Sequence, residues 1–407
     1  MEKHIYPFVL EKAQDSLWNY PLRAPMVEPI SILNAQNRVL GEDLYAPHSL
    51  PPFDRSPLDG YALRGEDSLG ASKKNPKVLT VVDRIPAGHI GRRELQAGEC
   101  ARIFTGAPIP LGANAVLRQE DTEPEGETVR FLSEVTPGAN ISRKGEDVVA
   151  GEPILTRGTM IGPAELAILS ALGMDPVPCY ARPKVAILST GDEIVELTSP
   201  LTPGKIFNSN MYLIAGYVSR DGGEPILLGS VHDKEELIQA RIQEGLAQAD
   251  LILTTGGVSV GDYDVVKEVH HELGAKRLFA KLDIKPGTPM TASGLGEKLL
   301  IGLSGNPGAA AVTYELTVRT LLRNWAGRKD SQLSKVRARL TEGFGKTSGQ
   351  RRFLRGRIDW VNGEYRLSFT GKQNPGVMKS LLACNCLVEV PPQKRWMSDD
   401  WVEAILL

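Results

Sequence analysis

The chain of 407 residues carries 47 Lys and Arg against 49 Asp and Glu, with 42% hydrophobic and 24% charged residues. That balance suits a folded globular protein, and a net charge of −2 gives no long-range pull toward nucleic acid or an anionic membrane surface. A single hydrophobic core stops growing at roughly 250–300 residues, so several domains are expected.

The N-terminal stretch MEKHIYPFVLEKAQ lacks the apolar core of a secretory leader, and no run of about 18 apolar residues follows anywhere. The cytoplasm is therefore the expected compartment. Cys100, Cys179, Cys384 and Cys386 show no CxxC spacing, which argues against structural zinc and against a disulfide framework.

In chain order, helical patterns are expected at Pro7–Leu17, Ile30–Leu40 and Pro163–Leu172, around a Gly/Pro-rich, β-like stretch from Asp54 to Ser142. The simplest organisation inserts a β-rich domain (54–141) into a discontinuous helical or mixed N-terminal domain (1–53 and 142–180). From 181 to 328 short apolar runs alternate with helical ones, as in a parallel sheet with helical crossovers. The expected strands are Lys184–Ser189, Pro225–Gly229, Leu251–Thr254, Arg277–Ile284 and Lys298–Leu303. The expected helices are Asn208–Arg220 with Asn208 as N-cap, Asp233–Ala249, Asp262–Leu273 and Pro307–Trp325 with a proline at its first position. After Arg328 the helical period disappears. RGRIDWVNGEYRLSFT then reads as two strands joined by an Asn362-Gly363 turn, within a small β domain spanning 329–407.

Four segments concentrate chemistry in the α/β part. TTGGVSVGDYD (Thr254–Asp264) places Gly256, Gly257 and Gly261 where a strand gives way to a helix, so that backbone N–H groups and the Ser259 hydroxyl can face an anion. Asp262 and Asp264 beside that anion make electrostatic sense if a divalent cation lies between carboxylate and phosphate. KVAILSTGDEI puts Asp192 and Glu193 on a turn at another strand's carboxyl end, where ligands of open parallel sheets sit. AKLDIKPGTP carries Lys281 and Lys285 four apart, which on one strand would share a face and hold a dianion between them. LSGNPGAA sets Ser304, Gly305, Asn306 and Pro307 at a helix start suited to an oxyanion. Each taken singly also reads as ordinary turn, cap or solvated-face chemistry. Nothing resembles a nucleophilic triad, and TGGVSVG lacks the GxGxxG spacing of a nicotinamide site.

Taken together and in order over nearly the whole chain, PPFDRSPLDGYA, TGAPIP, GED, STGDE, TTGGVSVGDYD, IKPG and GNP resemble the MoeA family, also seen in the gephyrin E domain. The resemblance implies a MogA-like three-layer α/β domain, an inserted β-rich domain, an N-terminal dimerisation domain and a C-terminal β-barrel-like domain. It implies a homodimer whose active site forms between the α/β domain of one subunit and the inserted domain of the other. The implied activity is that of a molybdopterin molybdotransferase, which inserts molybdate into adenylylated molybdopterin with Mg²⁺-dependent release of AMP. Carried over residue by residue, it makes Asp59, Thr105, Asp147, Glu193, Asp233, Asp264, Lys281 and Lys285 catalytic positions, with Asp264 and Glu193 holding Mg²⁺. Gly256, Gly257, Ser259, Ser304, Gly305, Asn306, Pro307, Arg355 and Ser380 become substrate-binding positions, Arg355 lying near the metal oxyanion.

The chain departs from the family where Thr288 and Ser304 stand at variable positions of KPGKP and GLPGNP, and where Pro375 and Gly376 replace serines. Tungstate in place of molybdate, a pterin adenylyltransferase and a non-catalytic pterin-binding scaffold are the alternatives. The adenylyltransferase of the same pathway is an expected partner.

Overall fold

The computed structural model describes residues 8–258 and 265–407. The chain opens with α1 (Leu10–Trp18), β1 (Val27–Ile30) and β2 (Leu44–Tyr45). Six strands follow: β3 (Gly60–Leu63), β4 (Ser72–Ile85), β5 (Glu99–Ile103), β6 (Ala115–Arg118), β7 (Thr122–Glu125) and β8 (Thr128–Ser133). They form one sheet in the order β6-β3-β5-β4-β8-β7. Tyr61, Leu63, Leu117, Val129 and Phe131 make one core on this sheet, while Ala62, Ala101, Ile103 and Val116 make another. Neighbours along β3 thus enter opposite cores, as the two-residue repeat of a strand dictates.

The chain then returns through β9 (Pro153–Leu155), α2 (Pro163–Ala171) and β10 (Val177–Tyr180). β9 pairs with β2, and β10 with β1. The helix expected over Ile30–Leu40 does not form. Val27–Ile30 runs antiparallel to β10, and only a short 3-10 turn, Ile32–Asn34, follows. Leu40 donates to Thr159 O at 2.9 Å and is buried with Ile161, Leu169 and Val177. Pairing with a distant segment overrides the local helical spacing.

The α/β unit contains β11 (Lys184–Thr190), β12 (Ile194–Val195), β13 (Ile206–Phe207), α3 (Ser209–Arg220), β14 (Glu224–Val231), α4 (Glu235–Leu246) and β15 (Leu251–Thr255). After it come α5 (Val265–Glu272), β16 (Lys276–Phe279), β17 (Ile284–Lys285), β18 (Thr291–Leu295), β19 (Lys298–Leu303) and α6 (Pro307–Thr313). A π-helical turn, Tyr314–Val318, joins α6 to α7 (Arg319–Trp325) in one continuous rod. Asn208 caps α3 as expected, accepting from Met211 N at 3.4 Å.

The sheet order is β14-β11-β15-β19-β18-β16. The first four strands are parallel, whereas β18 runs antiparallel to both of its neighbours, β19 and β16, so the sheet is mixed rather than wholly parallel. Val185 and Ile187 of β11 enter the core shared with α1, α3 and the α6–α7 rod; Ala186 and Leu188 enter the one shared with α4 and α5. From β11 the chain crosses to β14 on one side and then back to β15 on the other. That reversal opens a crevice at the carboxyl ends of the strands.

The strand expected over Arg277–Ile284 breaks after Phe279. Phe8 N donates to Lys281 O at 2.7 Å and Phe8 O accepts from Asp283 N at 3.0 Å, so the N-terminal segment takes the backbone there. Ile284 and Lys285 then pair with Arg351 and Arg352 in a different sheet. Lys281 and Lys285 therefore do not share one face of one strand.

The last domain is β20 (Lys335–Leu340), β21 (Arg351–Val361), β22 (Glu364–Phe369), β23 (Cys386–Val390) and β24 (Trp401–Leu406). With β17 they order as β17-β21-β22-β20-β24-β23, and a β21–β23 pairing closes the barrel. The β21–β22 turn places Asn362 and Gly363 at φ 49° and 86°, the left-handed pair that a two-residue hairpin needs. Buried charges lock the barrel onto α7. Arg319 Nη1 bonds to Leu406 O at 2.8 Å and to Glu315 at 3.2 Å, while Arg220 joins Glu315 to Asp221, each at 2.7 Å. Among the described residues no helix is long and apolar enough to cross a membrane.

Candidate functional site

A cleft of about 790 Å³ lies at the carboxyl ends of β11, β15 and β19. Three turns build it. After β15, Gly256 and Gly257 adopt φ of +92° and +62°; a Cβ on Gly256 would stand 2.1 Å from Thr190 O, so only glycine lets this turn lie against β11. After β19, Ser304, Gly305, Asn306 and Pro307 lead into α6, and Gly256 N is tied to Leu303 O at 3.2 Å. Asn210 of α3 fastens this second turn by donating to Gly305 O at 2.7 Å.

The third turn follows β11 and carries acid. Glu193 and Asp233 both line the cleft. Beside them Asp192 Oδ1 pairs with His232 Nδ1 at 2.9 Å. The Asp233 carboxyl is raised above the usual range, chiefly by burial; a Thr190 hydrogen bond opposes this, and Asp192 and Glu193 add repulsion. Crowded carboxylates of this kind suit a cation. Among the described residues no group of three or more His, Cys, Asp or Glu is gathered into a metal cage. Mg²⁺ commonly takes only one or two carboxylates and completes its shell with phosphate and water, so the carboxylates present fit it. Ser259 and Asp264 lie outside the described residues.

Arg355 sits behind the first turn of α6. It is 1% exposed, and a Cβ on Gly308 would meet its Nη1 at 2.0 Å. Nη2 donates to the carbonyls of Lys372 and Asn374 at 3.3 and 3.1 Å, but Nε and Nη1 make no hydrogen bond to the described residues. Burial pulls this guanidinium below its ordinary basicity. A buried cation without a carboxylate partner, against a helix N-terminus that is itself partly positive, is costly unless an anion arrives. The segment Gln373–Met378 closes over it. Gln373 pairs with both the N–H and the C=O of Arg355 at 2.8 and 3.0 Å, and Pro375 O accepts from Gly308 N at 2.8 Å. Ser380 is buried nearby, its hydroxyl donating to Val377 O at 2.9 Å.

Lys281 and Lys285 do not line the cleft, although Pro289 of the same segment does. The Thr288 hydroxyl donates to Ile284 O at 2.6 Å. At one end of the β6-β3-β5-β4-β8-β7 sheet Asp59 and Thr105 are brought together. Asp59 Oδ1 accepts from Thr105 N at 2.9 Å and Thr105 Oγ1 at 2.8 Å, which with a nearby Arg102 holds the carboxyl below its usual range. Asp147 is exposed on a turn whose N–H bonds to Leu50 O. Asp59, Thr105 and Asp147 do not line the cleft of their own chain. Sequence reasoning passed over Asn210 and Gly308. Their roles depend on backbone approach and give no motif beyond a glycine or an amide at a turn.

Three family models match in succession: the MoeA N-terminal region (domains I and II) over residues 9–173, a "probable molybdopterin binding domain" over 186–324, and the MoeA C-terminal region (domain IV) over 337–407. A molybdopterin molybdenumtransferase of Bacillus subtilis (strain 168) is 35% identical over 93% of this chain and 89% of its own. Molybdopterin molybdenumtransferase 2 of Mycobacterium tuberculosis (strain H37Rv) is 35% identical over 91% and 92%. The crystal structure of a molybdopterin biosynthesis MoeA protein from Pyrococcus horikoshii superposes with a TM-score of 0.84 at 31% identity, covering 98% of this chain and 99% of that one. With all its domains matched in order and at this level of identity, the chain belongs to the MoeA family.

Proposed function

We propose that this chain is a molybdopterin molybdenumtransferase, carrying molybdenum from molybdate to the dithiolene of adenylylated molybdopterin with release of AMP. The names of its relatives support the activity. The observation that carries the mechanism is the buried Arg355 guanidinium, with two unpartnered nitrogens set against the α6 N-terminus.

In this reading the phosphates of the adenylylated substrate lie along the Gly256–Gly257 turn and the Ser304–Pro307 turn, both of which line the cleft. Molybdate, a dianion, is assigned to Lys281, Lys285, Arg355 and Ser380, none of which lines the cleft that takes the phosphates. Glu193 and Asp264 would hold Mg²⁺, which when bound would draw charge from the phosphoanhydride as it breaks. Asp233 sits beside Glu193 as a further acceptor for a proton. No side-chain nucleophile is needed, because the two dithiolene thiols give their protons to one departing oxo ligand of molybdate, which leaves as water as the Mo–S bonds form, and a water adds to the phosphoanhydride as AMP leaves. Asp59, Thr105 and Asp147 act from the partner subunit of a homodimer, which accounts for their absence from the cleft of their own chain. The adenylyltransferase that makes the substrate is the proposed partner, and the cytoplasm the proposed compartment.

Purified protein mixed with adenylylated molybdopterin, Mg²⁺ and either molybdate or tungstate tests this reading. AMP should appear together with reconstituted cofactor. Consumption of ATP instead would favour an adenylyltransferase, and tight pterin binding without product would favour a scaffold.

A further inference from the structure

Arg102 lies one strand pair away from Asp59 and touches every segment that holds the Asp59–Thr105 pair. On β5 it stands opposite Tyr61 of β3. Its Nη1 donates to Gly60 O at 3.1 Å, the carbonyl immediately after Asp59, and its Nη2 donates to Gln119 Oε1 at 2.5 Å. Gln119 in turn donates its backbone N–H to Asp59 O at 3.1 Å. The guanidinium plane also lies 5.1 Å from the Tyr61 ring and 5.0 Å from the Phe104 ring, the residue before Thr105. Arg84 faces the same Phe104 ring at 5.1 Å.

Three separate chain segments therefore meet on one planar fork: the start of β3, the end of β5 and the turn after β6. Gly60 leaves no slack, since a Cβ there would stand 2.1 Å from Leu117 O. A lysine could supply the charge but neither the two parallel donors nor the flat stacking surface. We infer that Arg102 is a positioning residue for the transferase reaction, fixing the Asp59 carboxylate and the Thr105 hydroxyl in one orientation for the cleft of the partner subunit. This rests on the reading that Asp59 and Thr105 act in that reaction.

The test is a set of full-length variants assayed for molybdate-dependent AMP release: Arg102→Met, Arg102→Lys, Gln119→Ala, Asp59→Asn, and Arg102→Met combined with Asp59→Asn. A positioning role predicts that Arg102→Met lowers kcat by at least about tenfold while both KM values stay within about twofold. Arg102→Lys should fail to restore it, and Gln119→Ala, which removes one partner of the fork and leaves the stack, should lower kcat by a smaller factor. The double variant should be no slower than Asp59→Asn alone. Wild-type kcat in Arg102→Met alongside an impaired Asp59→Asn would overturn the inference, as would losses that multiply in the double variant. If Arg102→Met does not fold, an unchanged kcat in Gln119→Ala together with rescue by lysine overturns it equally. Full activity in Asp59→Asn would instead remove the underlying site assignment.

Discussion

Replacing Gly308 by alanine sets helix propensity against site geometry, and the two predict opposite results. Gly308 follows Pro307 in the first turn of α6, where alanine is favoured over glycine by about 1 kcal/mol. The added Cβ, however, would stand 2.0 Å from Arg355 Nη1 and 2.7 Å from Pro375 O, against ordinary contact at 3.4 Å or more. The guanidinium must retreat by about 1.4 Å to reach ordinary carbon–nitrogen contact. It is 1% exposed and anchored through Nη2 to two carbonyls, so the retreat weakens charge-assisted hydrogen bonds of about 1.5–3 kcal/mol each. We expect a net destabilisation of about 1–3 kcal/mol. A displacement of about 1 Å at a positioned group costs on the order of 100-fold in rate, so kcat/KM for molybdate should fall by about that factor. Initial rates of AMP release across a molybdate series, with thermal unfolding of the same samples, measure both quantities. A Gly308→Ala protein that melts higher than the parent and keeps its molybdate dependence would refute the role given to Arg355 and its close packing.

Gly256→Ala forces a residue with a side chain to φ +92° and drives its Cβ to 2.1 Å from a backbone carbonyl, so it should cost about 2–5 kcal/mol and abolish AMP binding. Gly274→Ala, with φ +76° and open space around it, should cost only about 1 kcal/mol in the same denaturation experiment. For Asp233 the folded carboxyl titrates above the unfolded value of 3.8. The stability this contributes is present below 3.8 and is lost as pH rises through the folded value. Asp233→Asn should therefore be more stable than the parent at pH 7, with an advantage that shrinks toward pH 4 and with added Mg²⁺; a less stable variant at pH 7 would contradict the crowding of acids at that lip. Mixing Asp59→Asn protein with Lys285→Ala protein, each strongly impaired alone, should raise activity to about one quarter of the parent's once subunits exchange. Half of randomly paired dimers are then mixed, and each mixed dimer holds one intact site of two. No recovery after verified exchange would place Asp59 and Lys285 in the same subunit's site.

The glycine loop, the acidic turn and the Asn-Pro helix start were legible because each is a local solution to a local problem. A strand feeding a helix must turn sharply, and the residues that permit the turn also expose N–H groups. Asn208 as a cap and Asn362-Gly363 as a hairpin turn were readable for the same reason. The helix expected over Ile30–Leu40 failed because Ile30, Ile32 and Leu40 have apolar spacing that a strand and two turns can bury equally well. Lys281 and Lys285 were set on one strand because nothing in their own neighbourhood announces that Phe8 takes the backbone between them.

Composition, turn residues and motif order by themselves determined that this chain is multidomain, that its α/β unit ends its strands in anion-suited turns, and which family it resembles. Those properties depend on residues close together in the chain, whose conformational preferences act without a partner. Only the tertiary structure decided that Arg355 is buried without a counter-ion behind Gly308, that Pro375 caps the α6 amide, and that Arg102 bonds to Gly60 O beside Asp59 while lying over Phe104 beside Thr105. These depend on backbone segments dozens to hundreds of residues apart meeting within a few ångströms. Such approaches are set by how whole layers pack, which no local pattern specifies.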